Sequence, residues 1–236
     1  MTPEYDIAML LATRGRTESL GRSVRSLISL ADHPERLQLM FAFDNDDVAG
    51  TEYFKTDLQP WLDEQELSYT AMQFERQGYH RLHIYNNKLA EHTDSRWLMI
   101  WNDDAVMETQ GWDTEIMRHE GEFKLLAFHT HLDHPYSIFP ILPRKWYELL
   151  GYISPHSVQD GWLSQQAYML DIWERIPVWV LHDRADITGI TMMPHSVNVL
   201  HWKAVHLTKQ ISTVEHKSNC VTKTVPSWPH TCMNKV

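Results

Sequence analysis

Residues 96–104 read RWLMIWNDD, an apolar run that ends abruptly in an asparagine and two aspartates. A short run of this kind, with no polar residue at every second position, is typical of a strand covered on both faces of a sheet. Strands of that type occur mostly in parallel sheets with helices on either side. The stretch therefore predicts a buried strand over residues 96–101 in an α/β fold, with Asn102, Asp103 and Asp104 at the end of that strand.

The same pattern of a short apolar run followed by polar residues recurs on both sides of this stretch. Strands are predicted at residues 7–12, 37–43, 67–74, 96–101, 124–128, 138–142 and 177–181. Apolar spacing and stop signals predict one helix after residue 16 and a second stretch after residue 47, which runs to about residue 61 with Pro60 disturbing its end. Further helices are predicted at 81–92, 144–150 (closed by Gly151) and 161–173. Alternating strands and helices predict a mostly parallel central sheet flanked by helices.

Two of the predicted strands end in acidic residues. The segment 44–47, DNDD, follows the second strand, and residues 102–104, NDD, follow the fourth. Because ligands of open α/β sheets bind at the carboxyl ends of the strands, we expect these two segments to share one site. Carboxylate oxygens suit Mg²⁺ or Mn²⁺, which are often held together with substrate phosphates. Each segment taken alone is also compatible with an ordinary polar turn.

The order of these segments resembles the family 2 glycosyltransferases, which have the Rossmann-like GT-A fold. Over residues 5–185, IAMLLATRGR resembles the first strand and loop of that family, and FAFDNDD resembles its second strand. The segment RLHIYNNKLAEHTDSRWLMIWNDDA resembles the helix, spacer and strand that lead into a DxD-type motif. FPILPRKWYELLGYIS resembles the acceptor-side segment, QDGWLSQQAYML the motif with the catalytic base, and VWVLHDR a late strand with a histidine.

The resemblance implies an inverting, metal-dependent transferase that moves a sugar from a nucleotide-sugar donor, by default a UDP-sugar, to an acceptor hydroxyl. It implies that Asp104 and His182 bind Mn²⁺ or Mg²⁺, and that Asp160 is the general base. Asn102 stands where the family usually has an acid, which leaves Asp103 as an alternative metal ligand. Residues implied in donor binding are Thr13, Arg14, Arg16, Asp44, Asp46, Asn87, Asn102 and Asp103. Asp160 has a competing interpretation as the N-cap of a helix that starts at Gly161.

Residues 129–134 read HTHLDH and resemble the zinc-binding motif of the metallo-β-lactamase-fold hydrolases. This alternative makes His129, His131, Asp133 and His134 ligands of Zn²⁺. The motif lies past the middle of the chain, whereas that family has it in the first third. A loop beside the acceptor pocket is therefore the preferred interpretation of the motif. A second alternative is an inactive, carbohydrate-binding relative of the transferases.

Composition limits the remaining possibilities. The 236 residues are 43% hydrophobic and 22% charged, an ordinary globular composition that suits one large domain or two small ones. The resemblance implies a transferase domain at 1–205, followed by a C-terminal tail at 206–236. A formal net charge of −10 argues against general binding to nucleic acid or anionic membranes. Cys220 and Cys232 are predicted to be free thiols, and there is neither a secretory pattern nor an integral membrane segment. The expectation is a cytoplasmic protein whose acceptor is a glycan, a lipid-linked sugar, a protein or a modified nucleobase.

Overall fold

The computed structural model describes residues 3–131 and 134–183 and shows a single sheet of eight strands within the compact unit Met1–Asp186. The predicted domain end at residue 205 and the tail at 206–236 lie outside the described residues. In space the strands follow the order β3-β2-β1-β4-β7-β6-β8-β5. Their bounds are Ile7–Thr13 (β1), Leu37–Asp44 (β2), Ser68–Phe74 (β3), Trp97–Trp101 (β4), Ala105–Met107 (β5), Leu125–Thr130 (β6), Ile141–Pro143 (β7) and Trp173–His182 (β8).

The strand directions bring six strand ends to one edge of the sheet. β1 pairs in parallel with β2 and β4, β2 with β3, and β6 with β8. β7 is antiparallel to both β4 and β6, and β5 is antiparallel to β8. Strands β1, β2, β3, β4, β6 and β8 therefore run the same way. We call the edge where these six strands end the carboxyl edge.

Helices cover both faces of the sheet, as the alternation of elements predicts. Their bounds are Thr17–Ser29 (α1), Val48–Tyr53 (α2), Gln59–Glu64 (α3), Leu82–Glu91 (α4), Trp112–Met117 (α5), Arg144–Leu150 (α6) and Gln159–Met169 (α7). α1, α3 and α5 pack their apolar residues against one face, and α4, α6 and α7 pack against the other. The mostly parallel α/β arrangement inferred from the sequence is confirmed.

Several predicted boundaries are wrong for local reasons. The helix predicted at 161–173 begins two residues earlier and ends at Met169, because Asp171 adopts a left-handed backbone with φ 56°. The chain then enters β8 at Trp173, four residues before the predicted strand. The strand predicted at 138–142 lies at Ile141–Pro143. Pro60 does not disturb a helix end, because it lies in the first turn of α3, where proline is tolerated.

Two short elements escaped the sequence analysis. β5 has three residues and α5 has six, and neither is long enough to show a periodic apolar pattern. β5 exists because it pairs with β8, placing Ala105 opposite His182. Within the part of the chain that the structure describes, no helix has both the length and the apolar character needed to cross a bilayer.

Candidate active site

The two aspartates after β4 are buried at the carboxyl edge and held by side chains from the end of β1 and from the β1–α1 loop. Asp103 is 6% and Asp104 7% exposed. Thr13 Oγ1 donates a 2.7 Å hydrogen bond to Asp103 Oδ2. Arg16 Nη1 bridges the pair, at 3.0 Å from Asp103 Oδ1 and 2.9 Å from Asp104 Oδ2. One guanidinium group thus offsets part of the charge of two neighbouring carboxylates whose burial would otherwise be more costly.

His182 reaches the same pair from the end of β8. Its Nε2 lies 3.3 Å from Asp104 Oδ1, a contact whose geometry falls short of a hydrogen bond, so that this buried oxygen has no hydrogen-bond partner. The backbone N–H of Asp183 also donates to the carbonyl of Asp104 at 2.7 Å. The strand ends β1, β4 and β8 therefore meet at Asp104, which sequence separation alone does not reveal.

The pKa values of these two neighbouring carboxyl groups are shifted in opposite directions. Burial raises the pKa of Asp103, and the hydrogen bond from Thr13 and the charge of Arg16 do not fully offset it. Burial also acts to raise the pKa of Asp104, but His182 and Arg16 together outweigh it and lower that pKa. Asp104 is consequently the more firmly ionised of the two, as a ligand of a divalent cation must be.

A second acidic group lies at the end of β2 and is linked to Arg14. Arg14 Nη1 donates to Asp44 Oδ2 at 2.9 Å, and Arg14 also binds Asp46 with both of its terminal nitrogens. Tyr85 of α4 donates to the other oxygen of Asp44. Hydrogen bonding to Arg14 lowers the pKa of Asp46. Asp44 is thus a buried carboxylate that holds the side chains of Arg14 and Tyr85, whereas Asp46 and Arg14 are open to solvent.

The loop between β1 and α1 is fixed so that its two arginines serve different acidic groups. Gly15 has a φ of 67°, and its N–H donates to Asp47 Oδ2 at 2.9 Å. Asp47 in turn caps α2 by accepting from the N–H of Gly50 at 3.1 Å. With the glycine tied down, Arg14 binds the acidic group after β2 and Arg16 binds the one after β4. Two cationic groups are therefore held at the carboxyl edge.

Two residues expected to bind the donor have other contacts in the structure. Asn87 donates to the carbonyl of Ser154 at 2.8 Å and accepts from the N–H groups of Ile153 and Ser154. Its amide fastens that segment to α4, and none of these bonds involves the carboxylates. Asn102 is half-buried, and its carbonyl accepts from Ser23 Oγ at 3.0 Å. Donor binding by Asn87 and Asn102 stays a prediction, because these contacts do not test it.

Asp160 lies in the first turn of α7 and is not its N-cap. The helix begins at Gln159 with Val158 in the capping position, so the expected start at Gly161 is wrong. Asp160 Oδ1 accepts from the N–H of Gly161 at 2.8 Å, and its side chain is partly exposed. The positive end of the helix dipole favours an ionised carboxylate at this position. The N-cap interpretation is thereby removed, and the role of general base stays a prediction.

Among the described residues, the histidines of the HTHLDH segment belong to no group of three metal-ligand atoms. The ring of His129 stacks on Trp179 with centroids 4.8 Å apart, and His131 Nε2 lies 2.6 Å from Glu108 Oε2. Asp133 lies outside the described residues. Among the described residues, the three-residue grouping of metal-ligand atoms consists of His119, Glu122 and Glu174, and Lys124 forms ion pairs with both glutamates. The sheet is moreover that of the α/β fold expected for a transferase.

Three residues of this region were not identified from the sequence. Tyr85 supports Asp44, Ser23 joins the indole of Trp101 to the carbonyl of Asn102, and Trp179 lies exposed on β8. Nothing in the sequence marks Tyr85 or Ser23, because their partners are distant along the chain. Trp179 did leave a signal, since it alternates with Val178 and Val180, which face the core.

Solved structures with the same fold are known, although no protein-family profile and no curated protein matches the sequence. The mannosyltransferase PcManGT from Pyrobaculum calidifontis, in complex with GDP-Man and Mn²⁺, aligns with a TM-score of 0.61 at 12% identity, over 78% of this chain and 59% of that one. TarS from S. aureus aligns with a TM-score of 0.57 at 10% identity, over 76% of this chain and 37% of that one. TarS 1–349 with UDP aligns with a TM-score of 0.51 at 13% identity, over 76% and 58%.

This chain thus spans less than two thirds of each of these proteins. At 10–13% identity, the alignments establish the fold and leave the chemistry to the residues of this chain. The fold is the GT-A-like α/β fold of glycosyltransferases.

Proposed function

We propose that this protein is a metal-dependent glycosyltransferase that moves a sugar from a nucleotide-sugar donor to an acceptor hydroxyl with inversion at the anomeric carbon. The observation that carries the proposal is the bridge made by Arg16 between the two buried carboxylates Asp103 and Asp104, with His182 beside them. A cationic group already occupies the place where carboxylates would hold a cation. The fold supports the same activity, because the mannosyltransferase PcManGT has this fold, as does TarS.

The side chains at this position fit a divalent cation. Asp104 offers an oxygen with no hydrogen bond, and the Nε2 of His182 lies 3.3 Å from it. Mg²⁺ and similar ions are usually held by one or two protein groups and complete their shell with phosphate oxygens and water. Two ligands are therefore enough when a diphosphate is present. Asp104 is favoured over Asp103 as the ligand, because His182 contacts Asp104, while Asp103 is engaged by Thr13 and Arg16.

The donor would bind between the two arginines of the β1–α1 loop. Arg14 and Arg16 are 39% and 55% exposed, so both can turn towards a diphosphate. Asp46 is the open carboxylate of the group after β2 and is suited to a hydroxyl or amino group of the nucleoside. Thr13, Asp44, Asn87, Asn102 and Asp103 are assigned to shaping this donor site. A bound Mn²⁺ or Mg²⁺ supplies charge stabilisation for the departing diphosphate.

The transfer itself requires one base. Asp160 takes the proton of the acceptor hydroxyl as its oxygen forms a bond to the anomeric carbon. The bond from that carbon to the phosphate oxygen breaks at the same time, and the electron pair leaves with the nucleoside diphosphate. Arg14 and Arg16 stabilise the charge that develops on the leaving group. Attack from the face opposite to the leaving group inverts the anomeric centre.

A donor screen tests the proposal. The protein is incubated with UDP-, GDP- and CMP-sugars, each with Mn²⁺, Mg²⁺ or a chelator, and released nucleotide is measured. We expect release of UDP or GDP that depends on the metal, in keeping with the GDP-Man and UDP named for the solved relatives. Asp104→Asn is the inactive control, and Asp57→Asn, in an exposed ion pair with Arg25, is the matched variant elsewhere. The proposal fails if no donor binds, or if release is unaffected by chelation and by Asp104→Asn.

A further inference from the structure

An exposed tryptophan on β8 belongs to none of the groups described so far. Trp179 is 46% exposed, although the strand around it is well packed. Ile176, Val178 and Val180 enter the core on one face of β8, and Trp179 points to the opposite face. Single exposed apolar residues are common on protein surfaces, so exposure alone carries no conclusion.

Trp179 is surrounded by polar side chains that are held in place. His129 lies opposite to it on β6, and the two rings stack at 4.8 Å with an angle of 20° between their planes. The ring of His131 is 5.8 Å from Trp179, and its Nε2 lies 2.6 Å from Glu108 Oε2. The backbone N–H of Trp179 donates to Thr109 Oγ1 at 2.8 Å. We call Trp179, His129, His131 and Glu108 the Trp179 platform.

The platform lies on the side of the sheet where the predicted base is found. Trp179 and His129 are near the ends of β8 and β6, and thus near the carboxyl edge. Leu125 of β6 and Trp173 of β8 pack in the same apolar cluster as Leu163 of α7. The pairing of β6 with β8 is irregular between Ala127 and His129, so the face is read from β6. Leu126 and Phe128 of β6 enter the opposite cluster, which places His129, and the indole of Trp179 stacked on it, on the face of α7. The first turn of α7 carries Asp160.

We propose that the Trp179 platform binds the acceptor of the transfer reaction, and that this acceptor is an uncharged saccharide; the inference rests on the proposed function. The apolar C–H face of a sugar ring covers the exposed part of the indole. Glu108 accepts hydrogen bonds from sugar hydroxyls, and the exposed edge of His131 exchanges hydrogen bonds with them. An aromatic surface bordered by a few fixed polar groups is the usual composition of a small-molecule site.

Charge argues for an uncharged sugar over a nucleic acid, although bases also stack on tryptophan. Glu108 would repel a phosphate close to the platform, and the whole chain carries a formal net charge of −10. Arg175 extends from the same strand and keeps its positive charge while its Nη2 donates to the carbonyl of His134 at 3.0 Å, so charges of both signs border the platform, as suits a ligand with no net charge. His129 and His131, two of the histidines that resemble a zinc motif, have a role in this proposal that needs no metal.

Saturation-transfer NMR on the full chain, without donor, tests the platform directly. The probes are methyl glycosides of glucose, galactose, mannose and N-acetylglucosamine, their disaccharides, and free nucleosides. We expect saturation of at least one saccharide and an affinity lower by about tenfold or more in Trp179→Ala, with Trp179→Phe in between. Glu108→Ala should weaken binding of the same saccharide. Tyr79→Ala, which removes an aromatic side chain that is 75% exposed, is the matched control and should leave saccharide affinity unchanged.

The outcomes separate this inference from the proposed function. Saccharide binding that is unchanged in Trp179→Ala, or binding only of nucleosides, overturns the platform, as does the absence of any binding. A thermal melt, measured separately, reports whether Trp179→Ala is folded. If the donor screen fails while saccharide binding still depends on Trp179, the transferase proposal falls and the platform stands. If donors react but Trp179→Ala leaves the acceptor KM unchanged, the platform falls and the transferase proposal stands.

Discussion

His182 Nε2 lies 3.3 Å from Asp104 Oδ1, so the end of the last described strand meets the end of β4. Asp104 has no hydrogen bond at this oxygen, while its other oxygen accepts one from Arg16. The carboxylate therefore presents one side to an arginine and the other to an imidazole.

Asp104→Ala should remove metal-dependent nucleotide binding. The variant loses the carboxylate that His182 and Arg16 share, and an effect beyond the ~10–100-fold typical of an outer-shell partner is expected. Titration calorimetry with UDP or GDP in the presence of Mn²⁺ measures it, with Asp57→Asn as the control. An affinity that stays metal-dependent and unchanged in Asp104→Ala would falsify the assignment of the ligand.

Arg16→Ala should have opposite effects on the metal and on the nucleotide. Without the guanidinium, Asp103 and Asp104 are free to bind Mn²⁺ in the absence of nucleotide, so affinity for the ion alone should rise. Affinity for the nucleoside diphosphate should fall, because a cation near the phosphates is lost. Arg16→Lys keeps the charge but cannot bridge two carboxylates in the same way. Both of its affinities should lie between those of the native protein and those of Arg16→Ala. Calorimetry with each ligand separately decides, and a fall in both affinities would contradict this account of Arg16.

Asp160→Asn should lower turnover by ~100-fold or more while leaving donor affinity almost unchanged. Asn retains an oxygen that can accept from the N–H of Gly161, so the melting temperature should also stay close to that of the native protein. Asp160→Ala loses this acceptor and the favourable charge in the first turn of α7, so it should cost up to ~1 kcal/mol of stability. Steady-state rates and thermal melts of both variants provide the measurements. A fully active Asp160→Asn enzyme would direct attention to Asp171 or Asp183 as the base.

Asp103 should make the folded state less stable as the pH rises. Burial raises its pKa in the folded protein, so the native state holds this proton more tightly than the unfolded chain. The stabilisation is complete below the unfolded pKa of about 4 and is lost as pH rises through the higher folded value. Asp103→Asn removes this dependence, so its melting temperature relative to the native protein should increase with pH over that window. Asp104, whose pKa is lowered, contributes the opposite trend, lost as pH falls.

The HTHLDH segment should not bind zinc tightly. His131 is engaged with Glu108 and His129 is stacked on Trp179, so these rings are directed to other partners. Elemental analysis of chelator-washed protein should find well under one zinc per chain. One equivalent of zinc that disappears in His131→Ala would restore the hydrolase alternative.

The sequence alone determined the fold class and where the acidic residues lie along the chain. Buried strands such as residues 96–101 and 37–43 are readable because runs of apolar residues reflect burial of successive positions, a local property of the chain. The end of each strand follows directly from the change to polar residues. Placement of Asp44, Asp103 and Asp104 at the carboxyl edge then follows from the parallel sheet.

Only the tertiary structure decided which of these residues meet. Arg14 and Arg16 are two residues apart, yet they serve different acidic groups, because Gly15 turns the loop and is held by Asp47. β5 is too short to be recognised, and it forms because it pairs with β8, which brings His182 to Asp104. Contacts of this kind depend on strand order and loop geometry, which join residues distant along the chain. Local patterns in a sequence carry no record of such pairings, whereas they do record the burial of each strand.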